Sequence, residues 1–434
     1  EIFERQSFSK NNSFELRNFL IQILLYKRVQ IAGCLLVSIL IPAMTRSFFT
    51  DELIISFGLM NTYFSSVFAV LLGYFLYNRM VNQPGVESAL YITPIFAGSF
   101  ALVAVFFLMT LIEYSCSIFL VSAIVSILWF YWVDQLTRSK RRLRFAIVPG
   151  GTAPTLTELN SADWVLLESP KEPFGRVDGI VADLRSEPNE EWAQFITETA
   201  LNSTPVYHVK WIKESLTGKV EFDHLSENVF GSLVPVMGYL KIKFFFEWLV
   251  AFLALILLLP LMLAIAAIIR LESSGSALFK QHRMGFRGKS FSIYKFRTMI
   301  SESDLDPTAE GQKTQKGDRR ITKFGQWLRT HRLDELPQLI NVLRGEMSLI
   351  GPRPEASHLS KVYATELPYY RYRHIVRPGI SGWAQVNQGH VAEVDDVHLK
   401  LHYDFYYIKN CSLWLDIVIA LRTIKTMVFG TGAK

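Results

Sequence analysis

The chain has 434 residues, half of them apolar, with 45 Lys and Arg against 39 Asp and Glu and a net charge of +6. Its positive mean hydropathy is concentrated in long stretches, which excludes an ordinary soluble globule. Three cysteines, Cys34, Cys116 and Cys411, form no pattern and offer neither a disulfide framework nor a zinc site. The basic excess sits in residues 270–377, with 20 Lys and Arg against 11 Asp and Glu, a local +9 that leaves −3 elsewhere. No helix-turn-helix, zinc-finger or RNP-type pattern accompanies it, so nucleic acid is not the expected partner. Membrane lipid headgroups and a phosphorylated substrate fit the charge better.

Residues 1–28 read as a cytoplasmic N-terminal segment, and Glu1 in place of Met is read as a processed or trimmed chain. Four nearly uncharged stretches follow, at 29–49, 53–76, 89–112 and 117–133. Each has the length of about 17–25 residues that a helix needs to cross a bilayer, so 29–137 is expected to hold four transmembrane helices. One cleavable signal segment would not explain four. Arg17, Lys27, Arg28 and Arg79, with the cluster from Arg138 to Arg144, place the termini and everything after residue 137 on the cytoplasmic side. The stretches carry essentially no charge, which argues against a transporter.

Residues 138–235 change character. Short apolar runs beginning at Phe145, Trp164, Gly179 and Pro205 alternate with polar, helix-capable segments such as 188–201. The alternation predicts a small parallel α/β domain of Rossmann-like type. Its Pro149-Gly150-Gly151 turn is not a dinucleotide fingerprint, and no acidic residue stands where a ribose-binding one should. A regulatory or assembly role is expected.

The fifth apolar stretch, 248–269, is 22 residues without a charge, about 33 Å as a helix. A straight transmembrane span is the default. Against it, Lys241 and Lys243 precede the stretch while Arg270, Lys280, Arg283, Arg287 and Lys289 follow, so both ends look cytoplasmic. Pro260 sits near the middle, where it removes a helical hydrogen bond. A re-entrant helix over about 243–270, broken at Pro260, satisfies both observations and opens a mixed α/β domain at 236–434.

Within that domain, Lys295 and Arg297 share one face if YKFRTM (294–299) is a strand. Such a pair is also what an ordinary solvated strand face looks like. Residues 301–318 read as a loop able to close over substrate. The block LDELPQLINVLRGEMSLIGPRP (333–354) is the most informative. Leu336, Leu339, Ile340 and Leu343 recur at helical spacing, and Pro337 is tolerated only in a first turn, which sets Asp334 and Glu335 at the helix start. The plain reading is an N-cap Asp with a first-turn Glu. The other is a persistent carboxylate, kept so by the helix terminus and ready to be a nucleophile or metal ligand. Arg329, Arg332, Arg344 and Arg353 nearby favour the second, because a phosphoanhydride needs several donors during attack at phosphorus.

Toward the end, Trp414, Ile417, Val418, Leu421, Ile424 and Val428 form an apolar stripe with Arg422 and Lys425 off it. The spacing predicts a helix facing the core or lying in the membrane interface. His282, His331, His374, His390, His398 and His402 lack metal-ligand spacing apart from the i,i+4 pair His398 and His402, which is read as incidental.

Taken together, the apolar helix with Pro260, QHRMG (281–285), YKFRTM, GDRRITKFGQWLR (317–329), the 333–354 block and RPGISGWAQVNQG (377–389) resemble the bacterial sugar transferases. These are the large monotopic phosphoglycosyl transferases that start glycan assembly on a lipid carrier. The resemblance is dense from about residue 240 onward, and four spans plus an α/β domain agree in layout. It implies that Asp334 attacks the β-phosphorus of a UDP-hexose, releasing UMP. The phosphosugar–aspartyl intermediate is then taken by undecaprenyl phosphate, in ping-pong order. It makes Glu335 the Mg²⁺ contact and an aid in activating the acceptor. Arg329 and Arg353 are implied to hold phosphate or nucleotide, with Lys295 and Arg297 assisting and Gln281, Arg283 and Arg377 as further binding candidates.

A bacterial inner-membrane enzyme with its catalytic domain on the cytoplasmic face is expected, and a homodimer. The donor is expected to be UDP-glucose or UDP-galactose, and the product to enter capsule, O-antigen or exopolysaccharide synthesis. The rival reading is a membrane scaffold with an inactive transferase-like domain. The intact carboxylate pair and cation set argue against it.

Overall fold

The computed structural model describes residues 23–24, 26–49, 57–81, 88–137, 142–171, 175–186, 189–220, 235, 237–300, 320–367, 369–388 and 394–429. The expected substrate-closing loop at 301–318 and His390 lie outside the described residues. Residues 1–217 and 218–434 form two compact units.

The first unit opens with four long helices: α1 (Lys27–Phe49), α2 (Phe57–Val81), α3 (Ser88–Thr110) and α4 (Cys116–Thr137). Each is long and apolar enough to cross a membrane. Helix α1 packs on α4, and α2 on α3. Small residues allow the approach: a side chain at Gly73 would run into Phe96 and Ser99, and one at Gly33 into Trp129. Polar groups tie the helices together, with Ser122 Oγ donating to the Ser38 carbonyl at 2.8 Å and Trp129 Nε1 to that of Gln30 at 3.0 Å. Phe64, Phe68, Leu102, Leu108 and Leu128 point outward, as lipid-solvated faces do. Asp134, one residue past the expected fourth span, is inside α4 and buried. It accepts from Ser88 Oγ at 2.5 Å and Tyr77 Oη at 3.4 Å.

The same unit continues with β1 (Arg144–Ile147), β2 (Asp163–Leu166), β3 (Gly179–Ala182), α5 (Glu190–Leu201), β4 (Val206–His208) and α6 (Val209–Thr217). The strands are all parallel in the order β2-β1-β3-β4. Strand alternation builds two cores: Phe145, Ile147 and Val181 face Leu156 and Ile212, while Ala146, Ile180 and Ala182 face Trp192. After β1, Gly151 has φ +52 and a side chain there would strike Asp183. Thr152 donates its N–H and its hydroxyl to the Asp183 carboxylate, each at 2.9 Å, so the chain's own acid fills this glycine turn.

The second unit is organised on α7 (Met237–Glu272), 36 residues long. The expected break at Pro260 is not an unwound segment, since the chain is helical on both sides of it. Proline costs one backbone hydrogen bond, which a helix anchored along both halves tolerates. Around it fold β5 (Leu278–Met284) and β6 (Ser290–Phe296), an antiparallel hairpin, then α8 (Lys323–Thr330) and α9 (Gln338–Leu343). There follow β7 (Ser348–Ile350), α10 (Ser357–Glu366), β8 (Gly379–Ser381), α11 (Trp383–Gln388), α12 (Val394–Lys409) and α13 (Leu413–Phe429). Strands β7 and β8 are parallel.

One stripe of α7 is covered along its whole length. Ala251 packs with Phe291, Leu339 and Met347, while Met262, Ile265 and Ile269 pack with Ala277, Phe296 and Leu328. Near its start, Lys243 Nζ donates to Asp416 at 2.8 Å, Tyr407 Oη at 2.6 Å and the Ile350 carbonyl at 2.8 Å. Glu247 accepts from Ser348 Oγ and from the Ile350 N–H at 3.1 Å. These bonds clamp β7 to the helix. The other face, including Phe245, Leu249, Leu253, Leu257 and Leu263, is exposed.

Candidate active site

Asp334 and Glu335 lie in a 3₁₀ turn, Leu333–Glu335, ahead of α9, and not in its first turn. Pro337 is the residue capping α9. Arg332 starts the turn with φ 55, a left-handed backbone unusual for a side-chain-bearing residue. Leu336 and Pro337, both in the right-handed helical region, carry this turn on into α9, so the carboxylate pair stands just ahead of the helix N-terminus.

The nearest side-chain cations bear on Glu335. Arg353 Nη2 reaches Glu335 Oε1 at 2.7 Å and Lys295 Nζ reaches the same oxygen at 3.2 Å. Burial opposes charge on Glu335, but Arg353 and then Lys295 outweigh it and hold the carboxyl far below its ordinary range. Asp334 behaves oppositely. Burial, then the negative charge of Glu335, push its pKa up against the pull of Lys295, Arg353 and Arg329. Asp334 is only partly buried, and among the described residues its carboxylate makes no hydrogen bond. The pair thus divides into a fixed anion and a more basic, accessible neighbour.

Three backbone features aim these groups. Antiparallel pairing of β6 with β5 presents Lys295. The Gly351-Pro352-Arg353-Pro354 loop leaves β7, with the Gly351 N–H on the Ser381 carbonyl at 2.8 Å and the Gly379 N–H on that of Pro352 at 3.0 Å. A side chain at Gly351 or Gly379 would meet the opposite backbone, so both glycines are required. Two arginines then hold the loop's carbonyls: Arg373 Nη2 donates to Arg353 O at 2.8 Å and Arg283 Nη1 to Pro354 O at 3.0 Å.

The expected site residues separate on this geometry. Asp334, Glu335, Lys295 and Arg353 converge. Arg329 acts on Asp334 through its charge while its Nε donates to Thr298 Oγ1 at 2.8 Å. Gln281 orients Arg283, accepting from its Nε at 3.0 Å and Nη2 at 2.6 Å. Arg297 is turned away, bonded to Ser273 and Ser274 carbonyls at 2.8 and 2.5 Å, where it caps the end of α7. Its N–H donates to the Ala277 carbonyl at 2.9 Å, continuing the β5–β6 pairing, so the hydrogen bonds of its side chain and not the end of the strand set it apart from Lys295. Arg377 rests over the Phe244 ring at 3.9 Å and donates to the Gly345 carbonyl at 3.0 Å. His398 and His402 meet edge to face at 4.7 Å.

Arg332, one of the cations expected beside the pair, bears on Glu335 by charge, whereas sequence reasoning missed the buried Arg373–Asp404 pair at 2.8 Å. Arg373 sits in an aromatic-basic run, YRYRHI, whose local pattern signals nothing about its partner.

No group of three His, Cys, Asp or Glu side chains suited to a metal occurs among the described residues. Two adjacent carboxylates suit Mg²⁺ in its usual mode, shared with substrate phosphates. Both Glu335 oxygens accept from Arg353, Oε1 at 2.7 Å and Oε2 at 3.4 Å, and Oε1 also takes Lys295.

Fold and site define a membrane-associated protein whose α/β domain presents a carboxylate pair among fixed cations, a setting for phosphoanhydride chemistry. The comparisons agree. The model of the family described as bacterial sugar transferase matches residues 238–430. A UDP-N-acetylgalactosamine-undecaprenyl-phosphate N-acetylgalactosaminephosphotransferase from Aeromonas hydrophila is 43% identical over 86% of this chain and 88% of its own length. The UDP-glucose:undecaprenyl-phosphate glucose-1-phosphate transferase of Xanthomonas campestris is 44% identical over 41% of this chain and 37% of its own. That of Escherichia coli is 42% identical over 40% and 37%. The chain belongs to the bacterial sugar transferase family.

Proposed function

We propose that this protein is an undecaprenyl-phosphate sugar-1-phosphate transferase that works through an aspartyl intermediate on Asp334. The observation that carries the reading is the division of labour between a pinned, ionised Glu335 and an accessible Asp334 inside one cation cluster. The Asp334 carboxylate forms a bond to the β-phosphorus of a UDP-sugar. The bond from that phosphorus to the bridging oxygen breaks, and UMP leaves with the electron pair. A phosphate oxygen of undecaprenyl phosphate then attacks the same phosphorus, freeing Asp334 and leaving a lipid-diphosphate-linked sugar. Lys295, Arg353 and Arg329 neutralise charge gathering on the phosphoryl oxygens. Glu335 with substrate phosphates would hold Mg²⁺, which screens the repulsion between two anionic partners.

Membrane seating supports the same reading. Both halves of α7 pack on one α/β body, so its ends stay on one side while its free face enters the lipid. This favours a re-entrant, monotopic helix at the cytoplasmic face of the bacterial inner membrane, where a lipid phosphate meets a soluble nucleotide.

The long-range likeness to a protein named for N-acetylgalactosamine makes UDP-N-acetylgalactosamine the first donor to test. The glucose-named relatives match only about two fifths of the chain, yet they favour UDP-glucose as the second. This ranking departs from the neutral hexose expected of the sequence. Purified protein is assayed for UMP release from a panel of UDP-sugars with Mg²⁺, with and without undecaprenyl phosphate. Donor-dependent release that is lost in Asp334→Asn is expected. Silence across the panel with folded protein would return the lead to the scaffold reading.

A further inference from the structure

The basic side chains that do not converge on Asp334 gather elsewhere in the second unit. Arg377 lies flat on Phe244, a residue of α7 itself, with Phe286 at 5.4 Å from its guanidinium. Arg287, held at φ 56 in the turn after β5, lies over that same Phe286 ring at 5.0 Å. Arg344 sits over Tyr294 at 5.1 Å and donates to its hydroxyl at 2.7 Å. The turn joining these groups is fixed to the helix, because Trp248 Nε1 donates to the Leu343 carbonyl at 3.2 Å and Arg377 Nε to that of Gly345.

The Arg287 and Arg377 guanidinium groups both lie within 5.4 Å of the Phe286 centroid, and an anion that reaches both would offset their mutual repulsion. Glu247, the carboxylate whose charge reaches Arg377, is already engaged by Lys243, Ser348 and Ile350. Among the described residues the terminal amino groups of Arg377 have no hydrogen-bond partner. The aromatic part of α7 alongside exposes Phe245, Phe246, Trp248 and Phe252. Aromatic rings beside arginines at the start of an apolar helix are the composition of a membrane–water interface.

We propose that Arg377, Arg287 and Arg344 form a binding site for the phosphate of an anionic phospholipid, separate from the transfer site. The occupant is a bilayer lipid, because Arg377 rests on Phe244 of α7 and Arg344 follows Leu343, whose carbonyl takes the Trp248 N–H, beside helix positions with exposed aromatic rings. None of the three is among the principal charges acting on Asp334 or Glu335. The inference rests on α7 being seated in the membrane as read above, and not on which donor is used.

The test is retention of lipid by the full-length protein, extracted from vesicles of phosphatidylcholine with phosphatidylglycerol and measured by native mass spectrometry. The wild type should keep phosphatidylglycerol in preference. Each of Arg377→Gln, Arg287→Gln and Arg344→Gln should reduce that preference by about fivefold. Arg287 and Arg344 are exposed, so their variants carry the test if Arg377→Gln fails to fold. Undiminished preference in the triple variant would overturn the proposal, as would displacement of the lipid by inorganic phosphate. Lipid retention is read without turnover, so a silent donor panel leaves this result standing.

Discussion

Arg373 donates to the main-chain carbonyl of Arg353 at 2.8 Å, and the same amino group reaches the Asp404 carboxylate at 2.8 Å. The side chain of Arg353 grips Glu335 while its backbone is gripped by a residue twenty positions later. Through this relay α12, which carries Asp404, fixes the loop that fixes the carboxylate pair.

Asp404→Asn should therefore damage stability and turnover together. Arg373 and Asp404 are both buried, and removing the Asp404 charge leaves Arg373 with the more distant Glu355, at 3.8 Å, to offset its own. Such breaks cost about 3–5 kcal/mol. Thermal unfolding in detergent should show a large fall in midpoint, while Asp404→Glu should recover part of it.

A second ion pair sets an acid limit on stability. Burial opposes ionisation of Glu355, but Lys400 and then Arg373 overcome it and bring its pKa down to about 2 from an ordinary 4.5. The folded value lies below the unfolded one, so the stabilisation is fully present above about pH 4.5. It is lost as pH falls toward 2. Unfolding midpoints measured across that window should drop in the wild type and change less in Glu355→Gln, which starts lower.

What the sequence disclosed and what it hid follow from range. Asp334, Glu335 and Arg353 stand within one short block, and Lys295 lies on a strand whose alternation is local. The helix at 190–201 and the strands at 144–147 and 179–182 are likewise written in nearby residues. The Arg373–Asp404 pair joins residues 31 apart with no periodicity between them. A strand argument assigns Arg297 to the face of Lys295 but cannot tell that the Ser273 and Ser274 carbonyls take up its guanidinium. Pro260 signalled a break because propensity counts the lost hydrogen bond and not the packing that offsets it.

The pH dependence of the chemical step should separate Asp334 from its neighbours. Its pKa is raised by burial and by Glu335 and drawn back by Lys295, Arg353 and Arg329. The nucleophile must be ionised, so the rate of UMP release should fall on the acid side above the usual carboxylate range. Arg329→Gln removes a charge that favours the anion and should move that limb to higher pH. Single-turnover release followed down the acid side of the pH profile, in the wild type and in Arg329→Gln, checks the sign. A limb that stays in place would mean that the charge of Arg329 does not govern Asp334.

An aspartyl intermediate makes a stoichiometric demand. Without undecaprenyl phosphate, the first half-reaction should still run once, releasing one UMP per active protein and leaving the sugar phosphate on Asp334. Asp334→Asn should give no burst, and intact-mass analysis should find the adduct only on the wild type. Arg353→Gln should keep the burst amplitude but slow it by about 10²–10³, the usual loss when a donor to developing negative charge is removed. Adding the lipid acceptor should discharge the adduct and restore continuous turnover. A burst that requires the acceptor from the start would exclude the two-step route and favour direct attack by the lipid phosphate.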